Sequence, residues 1–371
     1  LSYQWRKGGS PLSNNATFTG VTTSTLNISS TAGLGGSSFD VVVSNGGGST
    51  TSNAAVLTEL PLASQPGAFT ASTAAVCPGQ AGVAYSVPND PSVTYSWSYS
   101  GTGATISGTG SSVTVSFSSS ATSGNLSVTA TNGCGTSAAR SVGVTVQTTT
   151  GITQQPASTS ATYGGSATFT VAASGSGSMT YQWRKGGTPI GAPSSPTLTL
   201  SPVSMSDAGS YDVVVNGSCG NATSSAATLT VVKATPTATA GSSPNPSVFG
   251  QSVTLTASVT SGAGTPTGTV TFYDGAVSLG TATLSGGAAG ISTSALAVGS
   301  HPITVVYSGD ASFNGSTSAA ITQVVNKAST TAVVCSSPNA ALRGLRVTPT
   351  ARVTSGAGTP TGTVTFYDGA V

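Results

Sequence analysis

The chain has 371 residues, of which only 5% are charged, and a formal net charge of +2. Soluble proteins usually carry about 25% charged residues, and Gly, Ser, Thr, Ala and Val fill the space here. So small a net charge gives no reason to expect a nucleic-acid partner. No apolar run is long enough to span a bilayer as a helix, and no window shows a helical apolar period.

Residues 1–60 read as the back half of a domain. Its strands fall at 1–6, 25–28, 39–44 and 54–57 between Gly- and Ser-rich turns. Residues 61–148 form a second unit, where Tyr95, Trp97 and Tyr99 alternate with serines, and Val113, Val115 and Phe117 with Thr114 and Ser116. Such period-two alternation puts one face of a strand in a core and the other in water. Residues 149–232 give a third unit and residues 233–326 a fourth. Residues 327–371 begin a fifth. Residues 353–371 copy residues 259–277 letter for letter, and Tyr3–Gly9 recurs as Tyr181–Gly187. A repeat of 94 residues implies an array of small domains, and the incomplete outer units imply a fragment of a longer protein. The expectation is an all-β tandem array of sandwiches with truncated terminal units.

The third unit carries the most specific pattern. Trp183 follows the strand Phe169-Thr170-Val171, and Asp207-Ala208-Gly209-Ser210-Tyr211 precedes Val213. This resembles the immunoglobulin fold, with a core Trp on one sheet and a D-x-G-x-Y tyrosine corner. The resemblance implies that Tyr211 packs inward with its hydroxyl on upstream backbone. It also implies that Val171 and Val213 stand where antibody domains carry their disulfide. Trp5 and Trp97 are placed by it at the same core position as Trp183. The first unit departs at the corner, where Gly35, Ser37 and Phe39 replace Asp207, Gly209 and Tyr211. The second unit, with Cys77-Pro78-Gly79-Gln80 and Thr131–Gly135, resembles bacterial PKD-like domains. The fourth and fifth resemble bacterial Ig-like repeats marked by Gly268–Gly275 and by Tyr307, Gly309, Asp310 and Phe313. There Val270 and Phe272 share the inner face, and Asp274-Gly275 reads as a type I′ hairpin turn.

Two of the four cysteines, Cys77 and Cys134, fall in the second unit. Bridged, they would close a loop worth roughly 4 kcal/mol in the chain-entropy model and would suit an exported protein. The alternative is a pair of buried free thiols. The position matching Cys77 in the third unit is Tyr163, and Cys335 aligns with Gly241. No CxxC or HxxxH spacing suggests a metal, and one or two carboxylates per unit make a poor calcium site.

Chemistry has little to draw on. Lys and Arg number 10, Asp and Glu 8, and His301 is the lone histidine. General acid–base catalysis wants two titratable groups in one pocket, and His301 in Gly299-Ser300-His301-Pro302 reads as a solvated turn. The Asp residues read as turn and corner residues. No catalytic residue, cofactor or metal ligand is expected. Tyr273 and Tyr367 are the outward aromatics, each isolated among threonines, which reads as ordinary strand surface rather than a sugar platform. Arg343, Arg346 and Arg352 cluster where the fourth unit has no charge. A basic patch for an anionic polymer, divergence of a surface strand and a local sequence error all remain open for them.

The expected role is a non-catalytic extracellular spacer, stalk or adhesion segment of a bacterial surface or secreted protein. A protein or glycan ligand at most, and neighbouring domains of the same chain, would be its partners. The alternative makes these units accessory modules of a secreted hydrolase whose catalytic domain lies elsewhere.

Overall fold

A computed structural model describes residues 1–191 and 193–369, so the last two letters of the repeated stretch lie outside the described residues. The chain forms two compact units, Leu1–Thr149 and Thr150–Val371. Among the described residues the regular structure is strand, apart from one 3-10 turn at Met205–Asp207. Abundant Val and Thr explain this, because branched side chains fit a pleated, half-buried surface.

In the first unit, Ser2–Lys7 pairs antiparallel with Ser38–Asn45, and Phe18–Thr19 with Asn27–Ile28. Phe18, Val21, Leu34 and Phe39 make a small core between them. A second sandwich follows in the same unit. One sheet holds Thr94–Tyr99, Gly124–Asn132 and Arg140–Val146, with Ala75–Val76 added parallel at its edge. The other holds Ala104–Ser107, Ser112–Phe117 and Val83–Ser86. Val113, Val115 and Phe117 are buried, so the alternation in sequence becomes one inner face. Tyr85 is completely buried and donates its hydroxyl to Thr73 O at 2.8 Å.

The second unit begins with the most complete sandwich. Thr159–Thr162, Ala227–Val232, Gly209–Gly217 and Thr180–Lys185 form the main sheet, and Ala167–Thr170 pairs with Thr197–Leu200 opposite. Val171 and Val213 are both buried, an apolar pair spanning the layers. Next, Thr237–Ser243, Val253–Thr260 and Ala288–Thr293 face a larger sheet centred on Thr269–Asp274 and Gly299–Tyr307. Val253–Thr260 alternates buried and exposed along its whole length. Val270 and Phe272 lie in this core.

Residues 327–369 contrast with all of these. Thr331–Ser337 pairs with Thr348–Thr354 as a two-stranded ribbon, and none of the four buried clusters draws on it. Every residue of Thr331–Ser337 is exposed.

One turn assignment is corrected. Asp274 pairs with Val277, so the hairpin's central residues are Gly275 and Ala276. Gly275 has φ +57° while Ala276 is not among the residues with positive φ. Positive φ at the first central position alone is the type II′ pattern rather than type I′.

Candidate functional site

The tyrosine corner is built from local hydrogen bonds. Tyr211 Oη donates to Asp207 O at 2.8 Å, with the ring 1% exposed. The Asp207 carboxylate accepts from Ser204 Oγ and Ser204 N, both at 2.7 Å. Those bonds, the side-chain one foremost, hold its pKa below the ordinary carboxylate value. Gly209 takes φ +146°, a backbone region that disfavours side chains. Lys185 donates to Ser206 O and lies 5.8 Å from the centre of the Tyr211 ring. The ring stacks on Phe169 at 5.0 Å. All of this is scaffold, with the polar atoms facing their own backbone.

The three tryptophans share one feature and differ in another. Each indole donates to a carbonyl across the fold: Trp5 to Thr23 at 3.0 Å, Trp97 to Gly110 at 2.9 Å, and Trp183 to Ser195 at 2.9 Å. Trp183 is 1% exposed, but Trp5 and Trp97 are only half-buried, which corrects their placement as equivalent core residues. Tyr85 and Phe117 fill the second sandwich's centre, and Trp97 packs at its rim against Phe69 at 6.0 Å. Over Trp5 the opposing layer is a two-residue strand pair and loops.

The expected Cys77–Cys134 bridge is not formed. Cys134 is a free, exposed thiol, so it fits neither a bridge nor a buried pair. Cys77 follows Ala75–Val76, beside the end of the sheet where Gly124 pairs with Val144. Cys134 sits in the hairpin turn after Asn132, at the other end of the 9-residue strand Gly124–Asn132. At about 3.3 Å per residue that strand is roughly 30 Å long, against the 4.4–6.8 Å between Cα atoms that a disulfide spans.

His301 also departs from its sequence reading. It lies on the strand Gly299–Tyr307, opposite Gln323, and its side chain is 13% exposed. Nε2 donates to Ala297 O at 2.8 Å, and Nδ1 lies 2.6 Å from Asp274 Oδ2. Both nitrogens face acceptors, so the doubly protonated ring is favoured. The Ala297 carbonyl and then Asp274 raise its pKa, against burial, which lowers it.

Asp310 is the most heavily bonded carboxylate. Oδ2 accepts from Thr267 N and Oγ1 at 2.9 and 2.7 Å, and Oδ1 from Ser312 N and Phe313 N at 2.8 Å each. Burial would raise its pKa, but these four donors pull it well below the carboxylate range. Tyr307 beside it is pushed up to about 12, chiefly by burial and then by the Asp310 charge. The Gly-Asp turn thus locks a loop that delivers Phe313.

Two ion pairs were not anticipated. Arg6 meets Asp40 at 2.6 Å, and Arg184 meets Asp212 through two bonds of 2.8 and 2.7 Å. They are cross-strand partners in matching registers. The signal was available, since Trp-Arg-Lys and an aromatic-Asp-Val-Val recur in both copies.

Arg343 and Arg346 are exposed in the segment between the ribbon strands, and Arg352 lies opposite Val333 on the ribbon. Leu342 and Leu345 beside them are exposed too, so the segment is a surface stretch with mixed character. Tyr273 is half-buried and Tyr367 exposed. Among the described residues no three His, Cys, Asp or Glu side chains converge as metal ligands. No helix among the described residues is long and apolar enough to cross a membrane.

Comparison with known proteins accords with this scaffold. Residues 62–144 match the PKD-like domain, residues 151–216 the immunoglobulin domain, and residues 239–326 the bacterial Ig-like domain of group 3. No curated protein sequence matches the chain. Among solved structures it is similar to the titin fragment I67–I69, at 16% identity and a TM-score of 0.43, covering 71% of this chain and 99% of that one. It is also similar to Sidekick-1 immunoglobulin domains 1–5, at 17% identity and 0.37, covering 88% and 74%. Extracellular domains 3–5 of Drosophila OTK match at 18% identity and 0.33, covering 62% and 85%.

Proposed function

We propose that this tandem array of immunoglobulin-like domains is a non-catalytic extracellular spacer or adhesion segment of a bacterial surface or secreted protein. The observation that carries the proposal is the succession of three differently matched modules, each with its own buried cluster. A chain of separately cored domains holds its two ends apart without any one domain depending on a ligand. We divide it at residues 61, 149, 233 and 327. Location rests on the kinds of module matched, not on a Cys77–Cys134 bridge. Asp207, Asp310, Asp274 and His301 spend their hydrogen bonds on the scaffold, and Asp40 and Asp212 are held in cross-strand pairs with Arg6 and Arg184.

The test is protease treatment of intact source cells with mapping of the released peptides. Peptides from residues 61–326 in the released fraction are expected. Their recovery only after lysis would contradict a surface role. Translating the reading frame on both sides then separates the two settings. Further domains and an anchor fit a stalk, and a catalytic domain would make these modules the accessory part of a secreted hydrolase.

A further inference from the structure

One surface recurs within the second compact unit. The strand Thr159–Thr162 runs parallel to Ala227–Val232, and Tyr163 N then donates to Val232 O at 2.8 Å. Gly164 follows with φ +78°, and Gly165 N closes the turn on Thr162 O at 2.8 Å. In the next domain Ser247–Val248 runs parallel to Ile321–Asn326, and Phe249 N donates to Asn326 O at 2.8 Å. Gly250 has φ +81°, and Gln251 N closes on Val248 O at 2.9 Å. The two turns are the same object, an aromatic-Gly pair beside the domain's last strand.

Each turn receives the same loop from the domain that follows. A Cβ on Gly164 would lie 2.6 Å from Ala263 Cβ, and one on Gly250 would lie 3.2 Å from Ala357 Cβ. Ala263 and Ala357 occupy identical Ser-Gly-Ala-Gly-Thr-Pro loops, each shaped by its Ser accepting from the Ala N–H. At Gly164 a side chain would collide with Ala263, whereas at Gly250 the contact is merely tight and the positive φ is what favours glycine. At the first joint the contact is sealed further. Tyr163 meets Phe313 edge-on at 5.4 Å and packs against both neighbouring cores. The linker is stitched down as well: Ala234 N donates to Ser312 O at 3.0 Å, Asn314 N to Ala234 O at 2.8 Å, and Lys233 Nζ to Asp310 O. At the second joint Phe249 is 42% exposed in an open cleft with Lys327, Ala328 and Ala357.

We propose that the aromatic-Gly turn is a docking surface for the Ser-Gly-Ala-Gly-Thr-Pro loop of the following domain. The pair forms a repeated joint that fixes successive domains at a set angle, and the Phe313 loop is its seal. This deepens the spacer reading, on which its biological use rests, but the joint itself is a property of the purified chain.

Trypsin reads the joint directly, because each linker carries one Lys-Ala bond. With the unaltered 371-residue chain, cleavage after Lys327 should run at least about tenfold faster than after Lys233, since cleavage tracks the open population. Ala263→Glu and Tyr163→Ala should each bring the Lys233 rate up toward the Lys327 rate. X-ray scattering should show their maximum dimension change while the melting of the domains is kept. Phe313→Ala should do the same. If that variant unfolds its own domain, Ala263→Glu on the half-buried loop decides. Equal cleavage at the two linkers in the unaltered chain, or unchanged Lys233 cleavage in Ala263→Glu and Tyr163→Ala, would overturn the proposal. Either result stands apart from where in the cell the protein is found.

Discussion

Residues 259–277 and 353–371 are the same sequence, yet they end in different structures. In the first copy Thr269–Asp274 is a strand between Val277–Thr283 and Gly299–Tyr307, and Val270 and Phe272 are 0% exposed. In the second copy residues 363–368 form no strand, and Val364 and Phe366 are 50% and 49% exposed. The alternating pattern alone is therefore not sufficient. A strand is held by cross-strand partners and by a facing layer; Val277–Thr283 and Gly299–Tyr307 supply the partners in the first copy. In the second copy the 371 residues reach only the position matching Val277 and nothing of either strand beyond it.

The largest effect that sharpens this contrast is in the core. Phe272→Ala should cost about 3–5 kcal/mol of the fourth domain's stability, whereas Phe366→Ala should stay within about 0.5 kcal/mol. Denaturant unfolding followed by hydrogen exchange of each domain measures both. A smaller effect belongs to the Asp310 turn, where Asp310→Asn should cost about 1.5–3 kcal/mol. Its folded pKa lies below its unfolded one. The contribution is thus present above the unfolded value of about 3.9 and lost as pH falls further. Acid unfolding of the fourth domain should flatten in the variant. Thr267→Ala should reproduce part of the loss, and Thr361→Ala, in the second copy, none.

Tyr211→Phe removes one hydroxyl bond and should cost about 1 kcal/mol. The first unit already carries Phe39 at that place, buried against Phe18 at 6.0 Å without a corner bond. The smallest effect is pH-dependent. His301 has a raised folded pKa, so its pairing with Asp274 stabilises fully below the unfolded value of about 6.5 and fades as pH rises through the folded value. Asp274→Asn should therefore cost up to about 1 kcal/mol at pH 5 and less at pH 9. Asp368→Asn should cost nothing measurable at either. A loss at pH 9 equal to that at pH 5 would show that the pair does not titrate.

Much of the fold was legible because it is written in local signals. Val113, Val115 and Phe117 alternate, and Asp207, Gly209 and Tyr211 spell a corner whose bonds span four residues. What escaped depends on register or distance. Gly-Ser-His-Pro reads as a turn because Pro is rare in strands, yet Pro302 pairs with Thr322 and its neighbour His301 faces Gln323. The Arg6–Asp40 and Arg184–Asp212 pairs left a signal in two recurring motifs, but which Arg meets which Asp follows only from the strand register. Cys77 and Cys134 look joinable in sequence, but a full strand length separates them. Trp5 and Trp97 match Trp183 in pattern, while their burial is set by what packs opposite. The joints were invisible for the same reason, since a Gly and an Ala from different domains carry no shared pattern.

The most direct test of separately cored domains with cores set by tertiary partners is hydrogen exchange on the 371-residue chain. Peptides extending past residue 277 distinguish the first copy from the second by mass. Amides of Thr269–Asp274 should exchange only on unfolding of their domain, while those of residues 363–368 exchange at nearly the unprotected rate. Comparable protection in the two copies would contradict the account.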